Sequence, residues 1–597
     1  MLNGVNGTKR QSSTLSPLPR QWTIRSETAI LSSKQADHGG TAALLTALGG
    51  KMRCENAAES QDSGRAAGMK KQRRAEDERP FDRYIGTLSA REAEAVAAFF
   101  RKIRAHVKLP PPERARLRED FERALLYYFQ AGVPLDEALG RLSVKHLGGF
   151  YARPPIVWYA LDDAAKIYPL SMKRGQMSVF RLSVYLKKPV VPELLQVALT
   201  YSIKRFPSFA TTVKKGFFWH YLDAAKRRFL VEPDSGLPCR PLKIEYSGSQ
   251  SFRVMYYDNR ISAEFFHVLT DGTGGMIFLK TLTAEYLRLL GAAAPPGEGA
   301  LDTDALPEPE ETENAFCRAG QGAPDMDALP QARKGDAPAD AGQRSSGAGF
   351  VDRPAVQMSG RLAAERPYRV LHFQMDAAAL RAAAKRQGAT VTAYLLAQMF
   401  LAGRYATDEP GGDMSIQVPV NMRKFYPSAT VRNFSMYCGV RLPLTAVRSA
   451  GEILPDIAAQ LANKASKEAM GRMMFETQRL VGAMRYIPLF IKAPAARLVY
   501  GFLGDRIFSN TLSNLGVVRF PTALCEHIQG VDFVLGTALT NRAGCALATF
   551  GDTATLSITK MTADPSFEER LYDLLSGDGI QTAVEGSVPL ADPHHLS

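Results

Sequence analysis

The stretch His267-Val268-Leu269-Thr270-Asp271-Gly272 joins a predicted strand to a predicted helix. Residues 260–266 are rich in aromatic and β-branched side chains, which favour a strand, and Asp258-Asn259 before them favours a turn. Residues 276–290 carry apolar side chains at helical spacing and stop at a glycine. We therefore expect His267 at the end of a strand, on a glycine-rich turn that a ligand can approach closely.

A histidine in this place suits general-base chemistry. With a pKa near neutrality, His267 can remove a proton from an alcohol, amine or thiol that attacks a carbonyl, which typically accelerates a reaction about 10²–10⁴-fold. Asp271 is expected to hold the loop, for example through Arg423, because it is too near in sequence to be assumed to face the ring. On the His–Asp spacing alone, a turn histidine without chemistry is the simpler interpretation.

Composition restricts the class of protein. The chain has 597 residues, of which 45% are hydrophobic, enough for several domains or two large halves. The six cysteines are scattered singly, so the sequence predicts neither a disulfide framework nor a metal site and favours the cytoplasm. No run of 18 apolar residues occurs, so no transmembrane segment is expected.

The formal net charge is +14, which by itself is compatible with nucleic acid, a membrane surface or an anionic ligand. Residues 1–80 have 13 Lys/Arg against 8 Asp/Glu, whereas residues 292–366 have 7 against 13. The remaining positive charge is spread thinly over the segments that we expect to fold. Those segments contain no nucleic-acid motif, and an anionic small ligand fits the charge at least as well as DNA does, so the charge alone does not decide. No nucleic-acid partner is expected, and nucleic-acid binding through the basic tail is the alternative.

Patterning divides the chain into six segments. We predict a disordered basic tail over 1–80, a helical preamble over 81–150 and a disordered tail over 581–597. Strands alternate with helices over 151–291 and again over 367–580, and a flexible acidic linker is predicted between them, over 292–366. The predicted fold class is therefore α/β, built as two sandwich-like halves.

Residues 485–502 are apolar, with Lys492 and Arg497 interspersed. A helix that lies in a membrane interface is one interpretation of this pattern. The favoured interpretation is a buried or groove-lining helix.

The stretch around His267 resembles the HxxxDG signature of the acyltransferase superfamily, which includes chloramphenicol acetyltransferase, condensation domains of peptide synthetases, wax ester synthases and plant BAHD enzymes. Two further stretches follow in the expected order, 419–425 with Arg432-Asn433-Phe434, and 511–516. Over roughly residues 150–580 the pattern is most similar to bacterial alcohol acetyltransferase-like proteins.

The resemblance implies two chloramphenicol-acetyltransferase-like halves in one chain, with a tunnel between them. It implies His267 as the catalytic base, Asp271 as a structural residue and Ser513 as a donor to the tetrahedral oxyanion. A plain turn at 513–514 and a merely structural charge at residue 423 remain alternatives. The predicted substrate-binding residues are Gly272, Asn421, Arg423, Asn433 and Asn514.

The activity implied is transfer of an acyl group, acetyl above all, from coenzyme A to an alcohol or amine in a cytoplasmic monomer. No covalent intermediate, metal or bound cofactor is expected, since acyl-CoA serves as a co-substrate. Two features depart from the pattern: Phe266 stands where condensation domains and wax ester synthases have a first histidine, and the plant Asp-Phe-Gly-Trp-Gly motif is absent. A carrier-protein donor, a condensation or wax-ester-type transferase, and a silent module that binds an acylated ligand or partner remain alternatives.

Overall fold

The computed structural model describes residues 25–26, 79–152, 158–171, 177–225, 227–242, 250–321, 353–494, 506–537 and 540–586. The strands, in chain order from β1 to β16, are Arg25–Ser26, Trp158–Ala160, Val179–Leu186, Thr211–Lys215, His220–Ala224, Val231–Pro233, Phe252–Tyr257, Arg260–Phe266, Arg369–Asp376, Asp413–Asn421, Ser435–Pro443, Asn510–Val517, Ile528–Leu535, Ala543–Phe550, Thr553–Lys560 and Thr582–Gly586.

The α-helices that lie within the described ranges include Pro80–Thr87, Ala90–His106, Pro111–Gln130, Leu135–Arg141, Tyr168–Ser171, Pro192–Ser202, Gly272–Leu289, Pro309–Thr312, Ala315–Gln321, Ala377–Arg386, Val391–Tyr405, Ala450–Lys464, Lys467–Ala483, Thr522–Cys525 and Ser566–Gly577. Several start where the sequence marks a cap: Thr390 accepts a hydrogen bond from the Ala393 amide, as an N-cap threonine does.

Three sheets organise the two halves. The N-terminal half has a five-stranded sheet of order β13-β3-β8-β7-β6 and a small sheet of order β2-β5-β4, and the C-terminal half has an eight-stranded sheet of order β1-β16-β9-β15-β14-β12-β10-β11. Strand β13 comes from the second half of the sequence but pairs antiparallel with β3 of the first. The predicted class, α/β in two sandwich-like halves, is confirmed, and the exchanged strand ties the halves together.

Two hydrophobic cores underlie these halves. The first core includes the helical preamble, whose Tyr128 hydroxyl donates to the Leu289 carbonyl oxygen at 2.6 Å. Arg228 also binds the buried Asp120 carboxylate of the preamble. The preamble is therefore part of the N-terminal core and not a separate arm.

Two of the predicted segments differ from the structure. Within the predicted flexible linker, Glu311 pairs with Arg205 and its carbonyl oxygen accepts from the Val431 amide at 2.9 Å, so the described part of that segment is packed. Within the predicted C-terminal tail, β16 pairs with β9. Composition misled in both cases, because ion pairs and backbone hydrogen bonds can order a segment that has few large apolar residues.

The described part of residues 485–502 is partly buried. Tyr486 and Phe490 are 72% and 70% exposed, Leu489 and Lys492 are buried, and residues 495–502 lie outside the described ranges. A fully buried helix is therefore excluded for the described part, and a groove-lining helix remains a prediction. Within the described ranges, no helix is long and apolar enough to cross a membrane.

Candidate active site

His267 directly follows β8, the middle strand of the five-stranded sheet. Its amide donates to the Ser178 carbonyl oxygen at 2.8 Å, next to the start of β3. The amide of Leu269 donates back to the Phe266 carbonyl oxygen at 2.8 Å, which closes a turn. The histidine therefore stands on a loop that is anchored at its base.

The imidazole lies among aromatic rings. Tyr168 stacks on it, with ring centroids 4.9 Å apart and an angle of 19° between planes, and Phe180 packs edge-on at 5.2 Å. Burial lowers the pKa of His267, while the Asp271 charge and a hydrogen bond to the carbonyl of its own residue oppose that shift. The neutral imidazole, which a general base requires, is thus the favoured form near neutral pH.

Asn433 contacts this loop from the C-terminal half. Its Nδ2 donates to the His267 carbonyl oxygen at 2.8 Å and lies 3.1 Å from Nδ1 of the ring. Its Oδ1 accepts from the amide and hydroxyl of Ser435, which fixes the direction of the side-chain amide. The sequence predicts substrate binding by Asn433, and in the structure it holds the histidine in place.

Asp271 caps the helix that follows the loop. Its Oδ1 accepts from the amides of Thr273 and Gly274, both at 3.0 Å, as an N-cap carboxylate does. Its Oδ2 accepts from Arg423 Nη1 and from the Phe434 amide, both at 2.7 Å. One carboxylate therefore joins the two halves beside the histidine.

Arg423 is predicted to bind substrate, but its guanidinium is saturated by protein oxygens. Besides Asp271 and Asn421, it donates through Nε and Nη2 to the carbonyl oxygens of Thr430 and Arg432. Asn421 in turn donates to the Thr273 hydroxyl at 3.1 Å. The geometry gives Arg423 and Asn421 a positioning role, since no N–H of the guanidinium is left for a ligand.

Glycines let the halves approach each other at this point. A Cβ on Gly274 would lie 2.0 Å from the Val431 carbonyl oxygen, which accepts from the Thr270 hydroxyl at 2.6 Å. A Cβ on Gly272 would lie 2.8 Å from Cδ2 of Leu515. Gly272, predicted to bind substrate, thus also allows close packing against β12.

Ser513 lies on β12, two residues before Leu515. Ser513 pairs with Ala546 of β14, and the register of the two strands shifts beyond Asn514, close to the point where Leu515 approaches Gly272. Ser513 is 9% exposed, and no hydrogen bond of its hydroxyl occurs among the described residues. A free hydroxyl in this position is available to a ligand.

Asn514 has the opposite orientation. Its Nδ2 donates to the Thr392 hydroxyl at 3.1 Å, and its Oδ1 accepts from the Gly516 amide at 2.8 Å. These contacts shape the end of β12, and substrate binding by Asn514 remains a prediction.

The structure thus brings most predicted site residues to one junction between the halves. It also adds Tyr168, Phe180 and Thr270, which sequence reasoning missed. Tyr168 and Phe180 are far in sequence from residues 267–272, and Thr270 has a side chain that is common in turns. No motif or spacing therefore marks these three residues in the sequence. The tunnel remains a prediction.

No family model matches the chain, and no curated protein matches it. Among solved structures, it is similar to polyketide synthase associated protein 5 from Mycobacterium tuberculosis, with 11% identity over 70% of this chain and 97% of that one, and a TM-score of 0.46. The TRI3 trichothecene 15-O-acetyltransferase from Fusarium sporotrichioides is 14% identical over 70% of this chain and 94% of that one, with a TM-score of 0.44. The first condensation domain of the calcium-dependent antibiotic synthetase is 15% identical over 74% of this chain and 99% of that one, with a TM-score of 0.46. Identities and TM-scores at this level do not assign an activity.

Proposed function

We propose that the protein is an acyltransferase that moves an acyl group from a thioester to an alcohol or amine, with His267 as the general base. The observation that carries the proposal is the half-buried imidazole on an anchored loop where the two halves meet, packed between aromatic rings that lower its pKa. A solvated turn histidine would need neither the aromatic packing nor the contact with Asn433.

In this proposal, the neutral imidazole carries its proton on Nδ1, which faces the carbonyl oxygen of its own residue, and the Nε2 lone pair is free. The Asn433 amide then donates to that carbonyl oxygen and not to Nδ1. Nε2 takes the proton of the acceptor while the acceptor oxygen or nitrogen forms a bond to the thioester carbonyl carbon. The tetrahedral oxyanion then collapses, the carbon–sulfur bond breaks, and the imidazolium returns the proton to the departing thiolate. No covalent acyl-enzyme is involved.

Ser513 has the second role in this proposal. Its hydroxyl makes no hydrogen bond among the described residues, so it can donate to the oxyanion at the moment when charge develops. Asp271 and Arg423 act through the loop, since their polar atoms are engaged with protein groups.

The donor proposed is acyl-CoA, above all acetyl-CoA, and the acceptor is a small alcohol or amine. A carrier-protein thioester, as in condensation chemistry, and a wax-ester-type reaction are the alternatives within the same mechanism. They differ in the donor and acceptor that the enzyme accepts and not in the role of His267.

Thiol release from acetyl-CoA, measured over a panel of alcohols and amines, tests this proposal. We expect release that depends on the acceptor and falls about 10²–10⁴-fold in His267→Ala. His527→Ala is a matched control, because His527 lies outside the site and is partly exposed beside Glu526. Wild-type rates in a correctly folded His267→Ala protein would overturn the assignment of the base.

If acetyl-CoA is not used with any acceptor, longer acyl-CoA and carrier-bound donors are the next substrates to assay. Failure of every thioester donor would contradict the acyltransferase proposal and favour a silent module that binds an acylated ligand.

A further inference from the structure

Seven large apolar side chains are exposed where the small sheet of the N-terminal half meets residues 485–494. We call this set the aromatic patch; it consists of Trp158, Phe217, Phe218, Tyr486, Ile487, Phe490 and Ile491. Four of them are about two-thirds exposed or more: Trp158 67%, Phe217 66%, Tyr486 72% and Phe490 70%. Single exposed apolar residues are ordinary on a protein surface, but a contiguous group usually marks an interaction surface.

Direct contacts hold the parts of the patch together. Phe217 and Phe218 form the tip of the β4–β5 hairpin, and the Phe217 carbonyl oxygen accepts from the Leu489 amide at 2.8 Å. Nζ of Lys492 lies 3.2 Å from the centroid of the Trp219 ring. The hairpin tip and residues 485–494 are thus one surface.

Trp158 extends this surface along the small sheet. It opens β2 and lies opposite Asp223 of β5, and its ring packs edge-on against Tyr221 with centroids 6.4 Å apart. The patch is therefore fixed by backbone pairing as well as by side-chain contacts.

The charge of the surface is positive. Residues 214–219 and 485–494 contain four basic residues, Lys214, Lys215, Arg485 and Lys492, and no acidic residue. Lys215 and Arg485 are exposed. The nearby acidic residue Asp223 forms an ion pair with Lys214.

We propose that the aromatic patch docks the protein on an anionic lipid surface. Trp, Tyr and Phe suit the boundary between headgroups and acyl chains, and exposed Lys and Arg add attraction to anionic headgroups. The side chains protrude from a hairpin tip, from a turn with the helical residues that follow it, and from the start of β2, a shape that enters a lipid interface. An apolar groove for a protein segment would instead cover much of each side chain.

The patch is linked to the candidate active site by a short path. Strand β2 starts at Trp158 and ends at Ala160, whose carbonyl oxygen accepts from Arg432. Arg432 immediately precedes Asn433, which contacts His267. Delivery of a membrane-dissolved acceptor from this side rests on the proposed function, whereas docking on lipid does not.

Vesicle flotation with the purified full-length protein tests the docking. The probes are phosphatidylcholine vesicles and vesicles of phosphatidylcholine with phosphatidylserine, at low and at raised salt. We expect binding to the anionic vesicles that weakens as salt rises. Absence of binding to both kinds of vesicle would overturn the proposal.

Variants then locate the binding surface. Phe217→Ser with Phe490→Ser should weaken partition onto anionic vesicles at least about tenfold, and Lys215→Gln or Arg485→Gln about fivefold each. The matched control is Leu306→Ser with Tyr405→Ser, two exposed apolar residues elsewhere, which should leave partition unchanged. Equal binding by patch and control variants would overturn the assignment of the surface.

Size-exclusion chromatography with light scattering tests whether a second copy of the chain binds the aromatic patch in place of lipid. A wild-type dimer that Phe217→Ser with Phe490→Ser converts to a monomer, without vesicle binding by either protein, would replace lipid by self-association. Thiol release in detergent-free buffer with a water-soluble acceptor should be unchanged in the patch variants, which separates this test from that of the proposed function.

Discussion

A strand leads into a helix with an aspartate N-cap in both halves, but only one of the two junctions carries a histidine loop. In the C-terminal half, β9 ends at Asp376 and the helix Ala377–Arg386 begins with the next residue. In the N-terminal half, β8 ends at Phe266 and the helix begins at Gly272, so residues 267–271 form an additional loop.

The two caps have similar local chemistry and different surroundings. Asp376 is exposed and accepts from the amide of Ala379, the third helical residue. Asp271 is 3% exposed, and its second oxygen receives Arg423 and the Phe434 amide from the other half. The same local signal therefore starts a helix in one place and fastens two halves around a histidine in the other.

Removing the charge of each N-cap aspartate should give the largest difference in stability between the two junctions. Asp271→Asn leaves the buried Arg423 without its carboxylate and should lower the free energy of unfolding by about 3–5 kcal/mol. Asp376→Asn, an exposed cap that asparagine also forms well, should change it by less than about 1 kcal/mol. Urea denaturation of both variants measures the difference, and equal effects would contradict the role given to Asp271.

Ser513→Ala tests what the C-terminal half contributes to the junction besides support. The hydroxyl makes no hydrogen bond among the described residues, so we expect little change in stability but a loss of about 10²–10³-fold in kcat, or about 3 kcal/mol. Ser557→Ala is a suitable control, since its hydroxyl binds His372 within the C-terminal half. A Ser513→Ala enzyme with unchanged kcat would exclude the oxyanion role.

The third helical residue differs between the junctions and can be exchanged. Gly274→Ala would drive a Cβ to within 2.0 Å of the Val431 carbonyl oxygen and should cost about 1–3 kcal/mol of stability. Ala379→Gly, at the same place in the other helix, should cost about 0.5–1 kcal/mol through helix propensity alone. Thermal unfolding of both proteins checks the ranking, and a Gly274→Ala protein as stable as wild type would show that the halves are not held in close contact.

The pH dependence should show the smallest effect. Because burial lowers the pKa of His267, its neutral form persists below the ordinary pKa of 6.5. The midpoint of the acidic limb in the pH profile of kcat/KM should therefore lie below pH 6.5. Tyr168→Ala admits water beside the ring and should move that limb upward, whereas Tyr168→Phe preserves the stacking and should not. The same limb in all three proteins would mean that the aromatic packing does not set the pKa.

The lowered pKa also has a consequence for stability. The folded protein holds fewer protons on His267 than the unfolded chain does, so this group's contribution is present above pH 6.5 and is lost as the pH falls through the folded-state value. The fall of activity at acid pH and the loss of stability at acid pH should therefore both depend on the protonation of His267.

Local patterns were sufficient for much of this protein. Strand β8, the following helix and the turn that carries His267 could be predicted from residues 258–290, because hydrophobic periodicity, turn residues and glycine act over short distances. The α/β class and the two-half organisation followed from the repetition of such patterns along the chain.

Tertiary structure decided the rest, because packing joins residues that are far apart in sequence. Strand β13 pairs with β3 of the N-terminal half. The Arg423 guanidinium binds the Asp271 carboxylate, and the Tyr168 ring stacks on the His267 imidazole. None of these is written in a local pattern, since each depends on which surfaces meet when the two halves pack. The sequence determined which residues could do chemistry, and burial between the halves decided which of them are free to do it.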